Sequence, residues 1–318
     1  MIEISKNFIP TTDEVWRLQG VEDKDASLFQ QMANKGHYRK VGGSRQGIYV
    51  CSPNGSLLSS VNSLDPDVVL KTIKTGLDKW EDLPDKDRQL PDNFSPIASH
   101  RWEDSYPENG FVLKGAKADL LTDPPKLSER GDRWNMDHVW FSRDEIDLWL
   151  PEVYDIGTSH ECDQIIKDRL FRFHLVDNVR GQTLPFAPQE IKEAKLTVHV
   201  TAINEPLIKI KITGSSKAVA KGQWLLGEND WTPTHELDHS IETNMIGNAV
   251  YNIDENNFTE FEMVALGEWH GKTQNNGRHL GPDTGRIGMV YNLAEDTPVN
   301  RIAPAFVDMY NAEWIKQP

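Results

Sequence analysis

A chain of 318 residues, 38% of them hydrophobic and including ten Trp and eleven Phe, is long enough for two domains and can fill ordinary cores. Its formal charge of −15, from 49 acidic against 34 basic residues, repels nucleic acid and anionic membranes, so neither is an expected partner. No apolar run approaches the roughly 20 residues that span a bilayer, and the N-terminal sequence has no signal-peptide pattern. We therefore expect an acidic, soluble protein of the cytoplasm, or of the periplasm or cell exterior if the chain is a mature form.

Residues 1–83 alternate between strand and helix patterns. The predicted elements are, in order, an extended stretch NFIPTTDEVW, a helix DASLFQQMANKG, two strands RQGIYVC and SLLSSVN, and a helix DPDVVLKTIKTGLDKW. Asn54-Gly55 between the two strands supplies the positive φ angles of a tight hairpin turn. Asp65-Pro66 is typical of a helix start. These signals predict a compact α/β unit.

The order strand, helix, hairpin, helix over residues 7–80 resembles the second half of a thioredoxin-like domain. The first strand and the Cys-bearing helix of that family are absent, and SRQGIYV lacks the proline that precedes the hairpin there. The resemblance therefore implies a truncated, redox-inactive relative. Neither Cys51 nor Cys162 lies in a C-x-x-C pair or a thiolate zinc cluster, and two buried free thiols are favoured over one long-range disulfide.

Residues 84–133 are rich in Pro and charge, which predicts a surface connection between domains. The third segment, residues 134–318, begins with two helix patterns, SRDEIDLWLP and CDQIIKDRLFRFHL. Ser142 and Glu145 form a capping-box pattern at the first of them.

From about Ala194 the pattern becomes β. The predicted strands are KLTVHVTAI, PLIKIKIT, NAVYNI, FTEFEMVALG and RIGMVYNLA. Consecutive strands with short turns predict an antiparallel meander, curved into a barrel or a half-open sheet. The fold class expected for the whole chain is α+β, a truncated thioredoxin-like unit joined to this β domain. In outline, residues 134–181 and the β region are also similar to parts of uncharacterised bacterial proteins with that architecture.

The most specific catalytic pattern is His235-Glu236-Leu237-Asp238-His239, an H-E-x-x-H match. On a helix, His235 and His239 would bind one zinc ion and Glu236 would act as general base. However, apolar residues alternate with polar ones from position 235 to 253, past the point where a helix would stop at Gly247. On a strand the two histidines would lie about 13 Å apart. The strand interpretation is therefore favoured, and a zinc-dependent hydrolase is an alternative.

The segment RWNMDHVWF brings Trp134, Asp137, His138 and Trp140 into seven residues, which could line a pocket with an aromatic wall and an Asp-His pair. His174 and Arg180 follow at the end of the second helix and complete the candidate ligand-binding set. Packing and helix-end roles also explain these residues.

We therefore expect a non-redox protein that binds a small molecule or another protein between the β domain and the Trp/His-rich segment. The cofactor is unknown, with zinc or another transition metal possible. A metal-binding oxidoreductase built from dispersed histidines is the third alternative, because ten His can converge in ways that spacing does not reveal.

Overall fold

A computed structural model describes most of the chain in two compact units, residues 1–98 and 99–318. The described residues are 2–11, 15–20, 22, 24–38, 45–90, 106–120, 134–181, 183, 185–221, 238–272, 276–278 and 283–305. Of the motif HELDH, only Asp238 and His239 belong to them, so His235 and Glu236 lie outside the described residues. Within the described ranges, no helix combines the length and apolarity needed to cross a membrane.

The first unit consists of helices and one hairpin. Its elements are α1 (Ile2–Ser5), α2 (Val15–Gly20), α3 (Lys24–Ala33), β1 (Ile48–Cys51), β2 (Leu57–Val61) and α4 (Pro66–Glu81). The predicted hairpin is confirmed, since β1 and β2 pair antiparallel and Gly55 in the turn has a φ of 81°. Asp65 caps α4, as predicted, by accepting the backbone N–H groups of Asp67 and Val68.

The extended character predicted for NFIPTTDEVW is wrong at its end, because α2 is helical from Val15. A short window of sequence does not distinguish a helical hydrophobic pattern from a period-2 pattern, so the sequence assigns Val15 and Trp16 to the extended stretch. In the described part of residues 1–98, β1 and β2 are the only strands.

The second unit is built on one antiparallel sheet of eight strands. Its elements are β3 (Phe111–Asp119), β4 (Trp134–Phe141), α5 (Arg143–Ile146), β5 (Ser159–Glu161), α6 (Gln164–Asp168), a π-helical turn (Arg169–His174), β6 (Ile191–Asn204), β7 (Leu207–Ala220), β8 (His239–Asn252), β9 (Asn257–Gly271) and β10 (Thr284–Leu293). The strand order is β4-β3-β10-β9-β8-β7-β6-β5, and every neighbouring pair is antiparallel. The predicted meander is confirmed as β6 to β10, and α+β content with a large antiparallel sheet is established.

Strand β3 lies within the stretch 84–133 that the sequence indicated as a surface connection. It pairs with β10 over seven of its nine residues, from Leu113 opposite Leu293 to Asp119 opposite Ile287. The strand pattern is weak because Gly115 and two alanines interrupt it and one of its inward-facing side chains is Lys117. The Pro-rich connection expected over residues 84–133 therefore contains a strand of the sheet over these nine residues.

One face of the sheet, here the inner face, packs against the helical segment 143–181. Alternate residues of the strands, such as Leu113, Val139 and Met263, are fully buried there in one cluster with Trp149 and Ile166 of the helical segment. The buried Arg169 contacts Glu145 through two N–H groups and donates a third hydrogen bond to the backbone carbonyl of Trp140 on β4. This arginine thereby fastens the π-helical turn to the edge of the sheet.

The sheet has one end with long connections and one with short turns. At one end, His239 at the start of β8 pairs with Ala220 at the end of β7 and with Gly271 at the end of β9. The β3–β4, β7–β8 and β9–β10 connections all leave the sheet at this end, here called the loop end. Loops that share one end of a rigid scaffold commonly carry function.

Candidate functional site

The predicted ligand-binding residues divide between the two faces of β4. Because successive side chains of a strand point to opposite faces, Asp137 faces inward and His138 faces outward. Trp134 and Trp140 share the outer face with His138: Trp134 is exposed, and Trp140 is buried under Tyr106, with ring centroids 5.5 Å apart. Because the segment is extended, Asp137 lies on the opposite face of the sheet from His138 and the two tryptophans.

Asp137, His174 and two residues not predicted for the site form a buried charge cluster on the inner face. Lys117 Nζ lies 2.9 Å from Asp137 Oδ2 and donates to the backbone carbonyl of His174 and to Asn178 Oδ1. His174 Nδ1 lies 2.9 Å from the same carboxylate oxygen. The Tyr291 hydroxyl donates to the His174 carbonyl at 3.0 Å. All three protons of the lysine are thus used within this cluster.

The charges in this cluster are set by burial and by each other. Burial raises the pKa of Asp137, but Lys117 and His174 lower it by more, so the pKa falls below its usual range. Burial also lowers the pKa of His174, against the attraction of Asp137. The cluster therefore holds a charged Lys-Asp pair beside a neutral histidine at pH 7.

A glycine makes room for the tyrosine of this cluster. Gly115 lies opposite Tyr291 on the neighbouring strand, and a methyl group there would lie 2.5 Å from Tyr291 Cε1. The ring can lie across β3 and reach the His174 carbonyl only because Gly115 has no side chain. An interior glycine in a strand is the sequence signal for such a close approach.

A second ionic group, here the arginine clip, lies toward the loop end. Arg278 donates to both carboxylate oxygens of Asp119, each at 2.8 Å, and to both of Asp177, with its Nε 2.9 Å from Asp177 Oδ2. Arg180 Nε donates to Asp119 Oδ2 at 2.6 Å. Two arginines are thus balanced by two carboxylates. The clip connects β3, the turn after the π-helical segment and the β9–β10 connection.

The guanidinium of Arg278 also covers the ring of Trp269, with 4.0 Å between its central carbon and the ring centroid. Opposite Trp269 on β10 is Gly285, where an added methyl group would lie 2.8 Å from Trp269 Nε1. The indole ring therefore lies between the guanidinium of Arg278 and the backbone of β10 at Gly285. Its Nε1 is buried and has no hydrogen-bond partner among the described residues.

His239 is the described histidine of the H-E-x-x-H pattern. It opens strand β8, so the favoured strand interpretation is confirmed from this residue onward. Its ring stacks on Phe186 at a centroid distance of 5.3 Å, and its buried Nδ1, like Trp269 Nε1, has no hydrogen-bond partner in the ranges given above. Burial lowers its pKa, although Glu190 and Asp177 oppose this, so the ring is neutral at pH 7.

His239 and Trp269 lie close together on the inner face. Ile241 pairs directly with Trp269, which makes His239 the diagonal neighbour of the tryptophan, at roughly 7 Å between backbones. Two unpaired polar atoms, two aromatic rings and the arginine clip therefore meet at the loop end. Over the described residues, no group of three or more His, Cys, Asp or Glu side chains is arranged to hold a metal ion.

The structure thus brings Asp137, His174 and Arg180 into two linked ionic groups and separates them from Trp134, His138 and Trp140. The sequence did not identify Lys117, Asp119 or Tyr291, because each of them contacts residues more than fifty positions away in the chain. No protein-family model, curated protein or solved structure matches the chain.

Proposed function

We propose that this protein is a non-redox ligand-binding protein and that it holds a small molecule at the loop end of the inner face. The observation that carries the proposal is the pair of unpartnered buried atoms, His239 Nδ1 and Trp269 Nε1, on neighbouring strands. Leaving such an atom unpaired costs about 1–3 kcal/mol. Two such atoms on neighbouring strands of one face are typical of a site whose hydrogen bonds are completed by bound molecules or water.

The chemistry of the site restricts the ligand. The Trp269 indole N–H can only donate, whereas the neutral His239 ring can accept or donate through Nδ1, depending on its tautomer. The ring of Phe186 offers an aromatic surface next to the histidine. Because the carboxylates of Asp119 and Asp177 balance the charges of Arg278 and Arg180, the site favours an uncharged, planar molecule with at least one hydrogen-bond acceptor.

The test replaces the Trp269 N–H without removing its ring. Trp269→Phe should abolish retention of a small molecule that co-purifies with the protein, measured by native mass spectrometry and by analysis of the solvent-extracted protein. Trp149→Phe is the matched control, because Trp149 also has a buried, unpartnered Nε1 but lies among the phenylalanines of the core. Retention should be unchanged in this control.

Equal retention in both variants would exclude the loop end as the site. If no small molecule co-purifies, the wild type and both variants are screened by thermal shift against uncharged planar heterocycles. Stabilisation of the wild type and of Trp149→Phe, but not of Trp269→Phe, supports the proposal. Identical responses of all three contradict it.

The metal-dependent alternatives stay predictions. The hydrolase needs His235, Glu236 and His239 on one helix, and His239 is the first residue of strand β8. The oxidoreductase needs dispersed histidines to converge on a metal. Elemental analysis tests both: stoichiometric zinc lost in His235→Ala and in His239→Ala would favour the hydrolase, and metal retained in both variants would favour dispersed ligands.

The thioredoxin-like origin of residues 7–80 also remains a proposal. The order α3, β1–β2 hairpin, α4 supports it, and the missing strand before α3 in the described residues weakens it. Both cysteines are free, and burial raises the pKa of Cys51 to about 11. A protonated thiol is a poor nucleophile, which supports a redox-inactive unit. Catalysis of insulin disulfide reduction by the purified protein would contradict that assignment.

A further inference from the structure

The outer face of the sheet carries two adjacent, mainly apolar rows that cross five strands. The pairing of β8, β9, β10, β3 and β4 places one residue of each strand in each row. The first row is Ile246, Val264, Val290, Ala116 and Met136, and the second is Asn244, Leu266, Gly288, Ala118 and Trp134. We call these ten residues the outer patch.

The large side chains of this patch are exposed to solvent. The exposed fraction is 63% for Trp134, 57% for Leu266 and 53% for Ile246. Polar rows border the patch on both sides, with Glu242, Glu268 and Arg286 toward the loop end and Asn248, Glu262, Asn292 and Lys114 on the other side. A contiguous apolar surface with a polar rim is typical of a protein interface, whereas scattered apolar residues are not.

We propose that the outer patch binds a second copy of this chain in a symmetric, face-to-face dimer whose two-fold axis runs parallel to β10. β10 is the middle of the five strands, so this axis places β9 of one copy over β3 of the other and β8 over β4. Each row of the patch then faces the same row of the partner.

Side-chain size supports this particular axis. In the second row, the protruding Leu266 of β9 lies opposite Ala118 of the other copy's β3, and in the first row Val264 lies opposite Ala116. At these two positions large residues face small ones, as in the interdigitated side chains between two packed sheets, and Ile246 of β8 lies opposite Met136 of the other copy's β4. The arrangement also places Gly288 and Val290 opposite their own symmetry mates.

Charge supports the same axis. In the adjoining polar row, the axis places Glu262 of β9 opposite Lys114 of the other copy's β3, and the reverse pair forms by symmetry. Trp134 supplies the aromatic anchor that dimer interfaces commonly contain, opposite Asn244. The axis along β10 places Arg286 opposite its own symmetry mate, and Glu268, 3.1 Å from Arg286, balances this charge in each copy. An axis along β9 would instead place both Glu262 and Glu268 opposite themselves, which like-charge repulsion disfavours.

The size of the surface, with the bordering polar rows included, is close to that of a standard interface. Five strands spaced about 4.8 Å apart and four rows spaced about 7 Å apart cover about 24 Å by about 27 Å. A standard interface buries about 800 Å² per partner, which is of the same scale. The proposed ligand site lies on the inner face, so this inference is independent of the proposed function.

The first test measures the oligomeric state of the full chain by sedimentation equilibrium at micromolar concentrations. The wild type should sediment at twice the 36.2 kDa mass of one chain. Leu266→Asp should raise the dimer dissociation constant at least about 100-fold, because it places an unpaired carboxylate in the interface. Val153→Asp, a change at an equally exposed apolar residue outside the patch, should leave the constant unchanged.

The second test addresses the axis itself. Ala118→Leu should weaken the dimer because two leucines then compete for one space. Adding Leu266→Ala should restore most of the lost affinity, since the large and small partners are exchanged. Both residues are on the surface, and circular dichroism checks that each variant remains folded.

A monomeric wild type would overturn the proposal, as would a dimer that Leu266→Asp leaves intact. A dimer broken by Leu266→Asp but without rescue in the double variant would overturn the axis along β10. Loss of the dimer in Val153→Asp as well would show that the association does not depend on the outer patch.

Discussion

Replacing Lys117 by Met should strongly destabilise the second unit. The lysine makes three polar contacts inside the sheet, and it is the only cation that contacts the buried carboxylate of Asp137 among the described residues. Removing one partner of a buried ion pair costs about 3–5 kcal/mol, because the remaining charge is left without compensation. His174 and Tyr291 still donate hydrogen bonds near this carboxylate, which places the expected loss near the lower end, about 3 kcal/mol.

The dependence on pH distinguishes this mechanism from loss of packing. In the wild type the pKa of Asp137 lies below its unfolded value of about 3.9, so its stabilising effect is complete above that pH and is lost only as the pH falls toward the folded pKa. In Lys117→Met, the lysine no longer opposes the effect of burial on Asp137, so the pKa of Asp137 rises. The pKa of His174 rises as well, because the positive charge of Lys117 no longer lowers it. The folded variant then binds more protons than the wild type, so the stability difference should be larger at pH 7 than at pH 5.

The assay is urea unfolding at the two pH values, followed by hydrogen exchange of peptides from β3 and β4. Lys209→Met is the matched control, because Lys209 is exposed on β7, and its effect should stay within about 0.5 kcal/mol. A loss below about 1 kcal/mol for Lys117→Met, or the same loss at both pH values, would refute the reasoning.

Three further predictions follow from the same contacts. Gly115→Ala should lower the free energy of unfolding by about 1–3 kcal/mol, because the methyl group displaces the ring of Tyr291; an unchanged urea midpoint would contradict this. Arg278→Lys should accelerate hydrogen exchange around residues 276–278 while β6 and β7 keep their protection, because lysine cannot bind Asp119 and Asp177 together; equal exchange in both proteins would show that the clip does not hold this segment. Cys162, buried and with its pKa raised to about 12, should react with a thiol reagent at pH 8 at least about 100-fold more slowly than in the unfolded chain; comparable rates would show that the core opens readily.

The parts of the fold that the sequence predicted are those set by local pattern. Asn54-Gly55 predicted the β1–β2 turn, and alternation past Gly247 predicted strand β8 although H-E-x-x-H suggested a helix. In both cases the deciding residues are neighbours in the chain. Strand β3 was missed because its pairing partner β10 lies far along the chain, and its interior small residues have low strand propensity on their own.

The site was predicted only in part for a related reason. Clustering in sequence suggested that Asp137 and His138 act together, but extended backbone sends them to opposite faces. Asp137 instead pairs with Lys117 and His174. Which side chains meet across a sheet depends on strand order and register, and these arise from long-range pairing that periodicity does not contain.

The position of β10 between β3 and β9 has a consequence for synthesis. On one side it pairs with β9, its neighbour in the chain, and on the other with β3, which emerges from the ribosome far earlier. At translation rates of 5–20 residues per second, β3 and β4 wait on the order of 10 s for the strand that joins them to the meander. During that interval the apolar inner side of this hairpin has no sheet to join, which makes the nascent chain a candidate client for ribosome-associated chaperones. A stop codon ahead of Thr284 would leave the two parts of the sheet permanently separate.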